Sequence, residues 1–422
     1  KKICLNLSGM IFRWFIFFLI IIGFNWYSSL AIKTVIKSTW INYIYLIANL
    51  LIVANFIFQI NINRENGIIS PVFSYSFGLF IVSIIFQISL IFVLFIEDFI
   101  RIPIWLFHFF SKGMDKSFKY MPERRLFISQ LSILLASIPA SALFIGMLRG
   151  KYNYKVIKHQ LSFQRLPKEF NGFKIVHISD FHSGSFDNKQ KLKYGIDLIN
   201  KQKPDLILFT GDFVNNIADE LLPWKDLLSS LEAPFGKYSV LGNHDYGDYV
   251  KWDSKDEKAN NLKKLIDLQV EMGFKVLLND SEKIYIDKSS IDLIGVENWG
   301  GGFKQNGDLD LALQKTNSDS FKILMSHDPT HWEEKVISHK EHIDLTLAGH
   351  THGMQFGIEI PGFIKWSPIK YRYKYWAGIY KELEQIINVN RGFGFLAYPG
   401  RVGIYPEITL ITLKDKESLK SV

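Results

Sequence analysis

The sequence predicts an α/β domain carried behind a bundle of four membrane-spanning helices. Three observations point there. Four long uncharged apolar runs lie before residue 150, short strand-like apolar runs alternate with polar segments after residue 151, and five of those later runs end in Asp, Asn and His clusters. With 422 residues there is room for more than one domain. The boundary is expected between a membrane region at 1–150 and an α/β domain at 151–422.

The four apolar runs are Trp14 to Ile32, Trp40 to Ile60, Val72 to Ile96 and Leu126 to Leu148. Each is close to or above the ~20 residues that a helix needs to cross ~30 Å of hydrocarbon. Their interior polar residues include Asn, Gln and Ser, which hydrogen-bond between helices without the cost of an ion. Trp14, Trp26, Trp40 and Tyr43 sit near run ends, where indole and phenol rings favour the lipid–water interface. A cleaved signal peptide would explain one run only, and no clear small-residue cleavage site flanks any of them, so the chain reads as anchored. The formal net charge of +8 then needs no nucleic acid to explain it, because basic residues collect around spans and on membrane-facing surfaces.

Between the third and fourth runs, Arg101, Trp105, Phe107, Phe109, Lys112, Lys116, Lys119, Arg124 and Arg125 mix aromatic and basic side chains. That composition suits a helix in the headgroup region, and equally a positive cytoplasmic loop. Lys33, Lys37 and this loop favour a domain facing outward, whereas Lys1, Lys2, Arg13, Arg149, Lys151, Lys155 and Lys158 favour the reverse. Pro122 to Ile128 resembles a loosened twin-arginine export signal, with Glu123 where Ser or Thr usually precedes the Arg pair. The expectation is an integral protein of a bacterial inner membrane with an extracytoplasmic α/β domain. Cys4 is the single cysteine, so no internal disulfide and no thiolate metal cluster forms; it is either a plain thiol or a lipidation site beside the first span.

In the second region, Lys155 to Phe163 partly alternates, with His159, Leu161 and Phe163 on one face, and predicts an edge or antiparallel strand. Phe173 to Ser179 has the unbroken apolar character of a buried strand. Asp187 is placed to cap a helix carrying Leu192, Ile196 and Ile199 at helical spacing and ending before Pro204. Further strands are expected at Leu206 to Thr210, Tyr238 to Leu241, Lys275 to Leu278, Lys283 to Asp287, Ile291 to Val296, Phe321 to Met325 and Leu345 to Ala348.

The polar clusters follow the strands. They are Asp180-Phe-His182, Gly211-Asp212, Gly242-Asn243-His244-Asp245, Ser326-His327 and Gly349-His350-Thr351-His352. An Asp and a His two apart can aim at one ion from a strand-end loop. Gly211 lets the chain turn sharply before Asp212, whose two oxygens suit it to bridge two ions. Asn243 offers a neutral carbonyl oxygen, and His244, His327, His350 and His352 offer imidazole nitrogens suited to Mn, Fe or Zn. A lone His or strand-end Asp is ordinary; five such clusters in one chain are not.

In this order the clusters resemble the motifs DxH, GD, GNH[DE], H and GHxH of the calcineurin-like metallophosphoesterase superfamily, with every motif intact over about residues 170 to 355. The resemblance implies a four-layer α/β/β/α sandwich that hydrolyses a phosphoester with two divalent metal ions, manganese first among the candidates. Carried over by position, Asp180, His182, Asp212 and His352 would hold one ion and Asp212, Asn243, His327 and His350 the other, with Asp212 as the bridge. Two such ions acidify water and draw charge off phosphoryl oxygens. His244 remains as the donor to the leaving oxygen, with Asp245 orienting its ring.

The branch narrows further. Protein phosphatases of the superfamily carry an Asp-Arg pair after the GD aspartate and Glu in the GNH motif, whereas Asn215-Asn216 and Asp245 stand here, which disfavours a phosphoprotein substrate. Gly353, Gln355, Val389 to Gly394 and Pro406 to Leu410 look like the membrane-associated bacterial subgroup acting on lipid-linked or nucleotide-linked phosphates, extending the resemblance to Tyr154 through Leu413. Some members resemble UDP-2,3-diacylglucosamine hydrolases, which cleave a pyrophosphate. Met354 departs from the subgroup, which commonly has glycine there. Expected partners are membrane lipids and a phosphate-containing, lipid-linked substrate, without nucleic acid; oligomeric state is not legible.

Two rivals stand beside this reading. A non-catalytic membrane scaffold or sensor predicts gaps among the ligands, and none occurs. A tethered nuclease would need a basic groove with stacking aromatics. Among other residues, Arg391 and Arg401 could grip phosphate or serve as structural pairs, His177 is expected against the sheet, and His331, His339 and His342 in solvent. Trp299, Trp366 and Trp376 would line either a groove or the core.

Overall fold

The computed structural model describes residues 2–66, 69–110, 122–360 and 362–416. The side chains of Cys4, Trp105, Phe107 and Phe109, and residues Lys112, Lys116 and Lys119, lie outside the described set, and so do the expectations placed on them. The chain divides into two compact units, Lys1–Ile62 with Tyr75–Ile145, and Asn63–Ser74 with Gly146–Val422.

Four helices carry the first unit: α1 (Lys2–Val35), α2 (Thr39–Asn66), α3 (Pro71–Phe110) and α4 (Pro122–Leu148). Each holds a segment long and apolar enough to cross a membrane, at Phe12–Val35, Thr39–Asn63, Pro71–Pro103 and Glu123–Leu148. Proline opens α3 and α4, at positions where its missing N–H costs nothing. Polar residues of the apolar runs meet inside the unit: Gln87 Nε2 donates to Asn49 Oδ1 at 2.9 Å and to Ser83 Oγ at 3.2 Å, and Asn55 Nδ2 donates to Ser76 Oγ at 2.8 Å. In hydrocarbon such groups must satisfy one another. Helix α3 runs through Glu97, Asp98 and Arg101 instead of stopping at Ile96, because Arg125 Nη1 meets Glu97 Oε2 at 2.9 Å and Asp98 Oδ1 at 2.8 Å. Residues 101–110 therefore continue the third helix.

The second unit contains fourteen strands among the described residues: β1 (Lys155–Phe163), β2 (Lys174–Ile178), β3 (Leu206–Phe209), β4 (Lys237–Ser239), β5 (Phe274–Val276), β6 (Asp280–Ile286), β7 (Ser289–Gly295), β8 (Lys322–Met325), β9 (Leu345–Ala348), β10 (Ile358–Ile360), β11 (Ile364–Trp366), β12 (Gly378–Glu382), β13 (Gln385–Val389) and β14 (Glu407–Asp415). One six-stranded sheet has the order β1-β14-β2-β3-β4-β5 and the other β12-β13-β9-β8-β7-β6; β10 and β11 form a separate pair. Strands β2, β3 and β4 are parallel neighbours, as are β7, β8, β9 and β13.

Side-chain alternation builds the layers. Ile175, Leu206 and Leu208 of the first sheet meet Leu293, Ile323, Leu345 and Leu347 of the second in one buried core. Val176, Ile207 and Phe209 point the other way, onto α5 (Lys189–Lys201), α6 (Lys225–Ser229) and α7 (Lys255–Glu271) through Leu192, Ile196, Ile199, Leu228 and Leu265. Ile294, Leu324 and Ile387 cover the outer face of the second sheet with Leu309, Trp332 and Val336. The result is a four-layer α/β/β/α sandwich. Asn188, not Asp187, caps α5: its side chain accepts Lys191 N–H at 2.9 Å, while Asp187 accepts Lys151 Nζ and Tyr152 OH at 2.7 Å each.

Candidate metal centre

All five clusters lie just past the C-terminal ends of β2, β3, β4, β8 and β9, where the two sheets deliver parallel strands to one edge of the sandwich. The chain bends hard as it leaves each strand. Asp180, His182, Asp212, His350 and His352 all have φ between 51° and 70°, a left-handed conformation that costs a non-glycine residue about 1 kcal/mol or more. Glycine is required where backbones touch: a Cβ on Gly349 would overlap Ser179 Oγ and the Asp180 carboxylate. Strained backbone concentrated on these residues is the mark of a site whose side-chain directions outweigh local preference.

The ligand atoms converge in two groups. Asp180, His182 and His352 form one, and Asp212, His327 and His350 the other. In the first, His352 Nε2 lies 3.2 Å from Asp180 Oδ1 and 3.0 Å from His182 Nε2. In the second, His327 Nε2 is 3.1 Å from Asp212 Oδ2, 3.2 Å from Asn243 Oδ1 and 3.3 Å from His350 Nδ1. Asp212 Oδ2 also stands 3.6 Å from His182 Nε2, so one carboxylate oxygen faces both groups.

The donor set fits cations better than it fits itself. Two imidazole nitrogens facing each other at 3.0 Å share at most one proton. Burial opposes the charge on Asp180 and Asp212, yet the surrounding imidazoles, His352 around Asp180 and His327 around Asp212, hold both well below the usual carboxylate range. Against the same burial, Asp212 pulls His327 up to about 10. Two buried carboxylates thus demand positive charge at the spot where four imidazoles and an amide oxygen point, and divalent ions would meet that demand.

Outer contacts fix the rings. His327 Nδ1–H donates to Thr210 O at 2.7 Å, which aims Nε2 at the centre. His350 presents Nδ1 inward because its Nε2 is bonded to Tyr373 OH at 2.8 Å, with Asp328 Oδ2 at 3.5 Å. Asn243 Nδ2 donates to Tyr249 OH at 2.8 Å, which turns its carbonyl oxygen inward. Tyr249 and Tyr373 were not singled out in the sequence; neither lies in a motif, and only folding brings them to the centre.

His244 borders the first group, its ring centroid 4.9 Å from that of His182. Its Nδ1–H donates to Asn215 O at 2.7 Å, so Nε2 is the free nitrogen. This corrects the expectation that Asp245 orients the His244 ring. Asp245 is buried and accepts the N–H groups of Asp212, Phe213 and Gly242 at 2.8 Å each. Burial, reinforced by the charge of Asp212, pushes its carboxyl up to about 7. It positions the two loops rather than the imidazole.

The remaining candidates sort by burial. Arg391 pairs with Glu407 at 2.5 Å and Glu359 at 2.6 Å, and Arg401 is buried and donates to Gly394 O at 2.6 Å and Gly392 O at 3.2 Å, so both guanidiniums are structural. His177 is sealed in the sheet between Thr210 Oγ1 and Asn388 Nδ2, at 2.9 Å each. His331, expected in solvent, is buried against Trp299 with Ser326 Oγ at 2.8 Å from its Nδ1, while His339 and His342 are half-buried beside Asp310 and Asp344. Trp299 and Trp376 are core residues, and Trp366 lies on β11.

Residues 173–354 match the calcineurin-like phosphoesterase family. The chain is also 32% identical over 308 residues to the uncharacterised metallophosphoesterase YkuE of Bacillus subtilis, across 69% of this chain and 98% of that one. The chain belongs to the calcineurin-like phosphoesterase family. Residues 12–151 match a second family, described as a probable calcineurin-like phosphoesterase transmembrane domain, which together with the four apolar helices makes this a membrane protein. Similar proteins include a transmembrane protein with metallophosphoesterase domain from Danio rerio, 26% identical over 67% of this chain and 63% of that one. Phosphodiesterase YaeI of Escherichia coli is 28% identical over 62% of this chain and 88% of its own length. Calcineurin-like phosphoesterases use divalent metals, and the two buried Asp/His groups are the residues placed to hold them.

Proposed function

We propose that this protein is a membrane-anchored phosphodiesterase or pyrophosphatase that uses two divalent metals, manganese first among them, on lipid-linked or nucleotide-linked phosphates of the UDP-2,3-diacylglucosamine kind. The observation that carries the reading is the position of Asp212 Oδ2, 3.1 Å from His327 Nε2 and 3.6 Å from His182 Nε2, where one carboxylate serves two ligand sets. Asp180, His182 and His352 would complete the first set, and Asn243, His327 and His350 the second. When bound, two divalent ions supply an activated water and neutralise developing charge on the phosphoryl oxygens.

The chain's own residues do the rest. Thr210 O, Tyr373 and Tyr249 hold His327, His350 and Asn243 in their inward orientations before any ligand arrives, so little reorganisation accompanies the reaction. His244 keeps its Nδ1 proton on Asn215 O, so the proton it would pass to the departing oxygen is a second one, taken up at Nε2 from the attacking water to form the imidazolium. The name of the Escherichia coli relative supports phosphodiester chemistry, and the four spans support a substrate whose acyl chains stay in a bilayer. An extracytoplasmic domain at a bacterial inner membrane remains our proposal for its placement.

The test joins metal analysis to turnover. Purified full-length protein should bind close to two divalent ions and hydrolyse an aryl phosphodiester, and Asp212→Asn should lose both by at least about 100-fold. Wild-type rates in a folded Asp212→Asn protein would overturn the two-metal reading. Screening lipid extracts, with mass analysis of the products, then names the substrate.

A further inference from the structure

The β10–β11 pair is attached to its domain by its charged face. In the antiparallel register Ile358 opposes Trp366, Glu359 opposes Lys365 and Ile360 opposes Ile364. Side chains alternate across a strand, so Ile358, Ile360, Ile364 and Trp366 share one face and Glu359 and Lys365 the other. Glu359 accepts Arg391 Nη2 at 2.6 Å. Lys365 Nζ donates to Ala377 O and stands 5.1 and 4.8 Å from the ring centroids of Trp376 and Tyr380. Most of the apolar face is left outside: Ile358 is 50% exposed, Ile360 51%, Ile364 36% and Phe363 at the turn 85%, while Trp366 is half-buried beside Phe356. A hairpin held only by its own domain would bury the isoleucines, so leaving them outside while Glu359 and Lys365 make the contacts to the domain calls for an apolar partner.

The surroundings say which partner. Tyr371 is 78% exposed, and Lys370 and Arg372 beside it are exposed cations. An apolar hairpin followed directly in the chain by an exposed basic and aromatic stretch matches the acyl–headgroup boundary of an anionic bilayer. The same chain carries four spans, so a bilayer accompanies the protein wherever it resides. The segment is also fastened to the metal centre, because Ser367 Oγ donates to Gly353 O at 2.8 Å and Tyr373 OH meets His350 Nε2 at 2.8 Å.

We propose that the β10–β11 hairpin is a bilayer-docking element, inserting Phe363 and its isoleucine face into the acyl–headgroup boundary and fixing the metal centre at headgroup height. The hairpin would hold the centre against a lipid-linked phosphate whose acyl chains need not leave the membrane. That consequence rests on the hydrolase reading; the docking itself does not.

Depth-dependent fluorescence quenching tests it in the full-length protein, reconstituted into phosphatidylethanolamine–phosphatidylglycerol vesicles. With Cys4 replaced by Ser, an environment-sensitive label is placed at Phe363→Cys, at Ile360→Cys as a second probe, and at Lys288→Cys, an exposed control position between β6 and β7. Nitroxide lipids labelled near the headgroup end should quench the first two labels at least about twofold more than the control, consistent with insertion of about 5–10 Å. Iodide in the water should quench only the control. If the Phe363 and Ile360 labels respond to iodide as the control does and ignore the nitroxide lipids, the inference is wrong. Protection that appears only at high protein density would assign the face to a second copy and would equally overturn it. Absence of hydrolysis in the same vesicles would count against the hydrolase reading alone, since quenching reads no turnover.

Discussion

The Asp245 carboxylate accepts the backbone N–H of Asp212 at 2.8 Å, across 33 residues of chain. Its other contacts, to Phe213 and Gly242, make the loop after β3 and the loop after β4 one rigid piece. Both loops carry ligand residues, so Asp245 sets the distance between them without touching a metal. Asp245→Asn keeps the shape but turns an NH2 group toward backbone donors. Metal titration and turnover of the folded variant should show metal affinity falling about 10- to 100-fold, with activity recovering as metal is raised.

His244 should behave differently. His244→Asn leaves both ligand groups in place, so metal content should stay at the wild-type level while kcat falls by about 10²–10⁴-fold. The loss should shrink for leaving groups of low pKa, which depart without a proton. A uniform loss across aryl phosphodiesters of graded leaving-group pKa would assign His244 to substrate positioning instead.

Gly349→Ala tests close packing at the centre. The added methyl overlaps Ser179 Oγ and the Asp180 carboxylate, and the carboxylate is held in place, because it accepts His350 N–H at 3.0 Å and the Asp180 backbone is already left-handed. Overpacking of this kind costs about 1–3 kcal/mol. A lowered melting temperature together with loss of the metal group containing Asp180 is the expected outcome, read by thermal melts and metal analysis.

Acid sensitivity should trace in part to His177. Its Nδ1 accepts Asn388 Nδ2 and its Nε2–H reaches Thr210 Oγ1, so no site is left for a second proton, and burial pushes the imidazole down from 6.5 to about 4. A folded pKa below the unfolded one means stability that is present above pH ~6.5 and is lost as pH falls through ~4, worth about 3 kcal/mol over that window. Denaturation of the full-length protein at graded pH should therefore be less steep between those values for His177→Gln than for wild type. Equal slopes would exclude His177 as the acid-sensitive group.

Legibility differed along the chain for physical reasons. The four spans are readable because a membrane helix satisfies its own backbone, so composition alone specifies it. Their ends were less so: α3 passes Ile96 because Arg125, from another helix, compensates Glu97 and Asp98. Strand β9 was placed at its observed bounds, since a buried parallel strand is a bare apolar run. Strands β12 and β13 went unread; their exposed and buried residues alternate irregularly, and their place in the sheet depends on pairing with β9.

By itself the sequence determined the chemistry of the strand ends, the order of the clusters and the presence of spans, because these are properties of residue identity and local spacing. Tertiary structure decided the partners. It gave the His244 proton to Asn215 O instead of Asp245, bound Arg391 to Glu359 and Glu407 and Arg401 to backbone carbonyls instead of leaving them for phosphate, and turned the isoleucines of β10 and β11 outward. Such choices follow from groups far apart in the chain, as with His177 and Asn388 at a separation of 211 residues, and are fixed only when burial forces each polar atom to find a donor or acceptor.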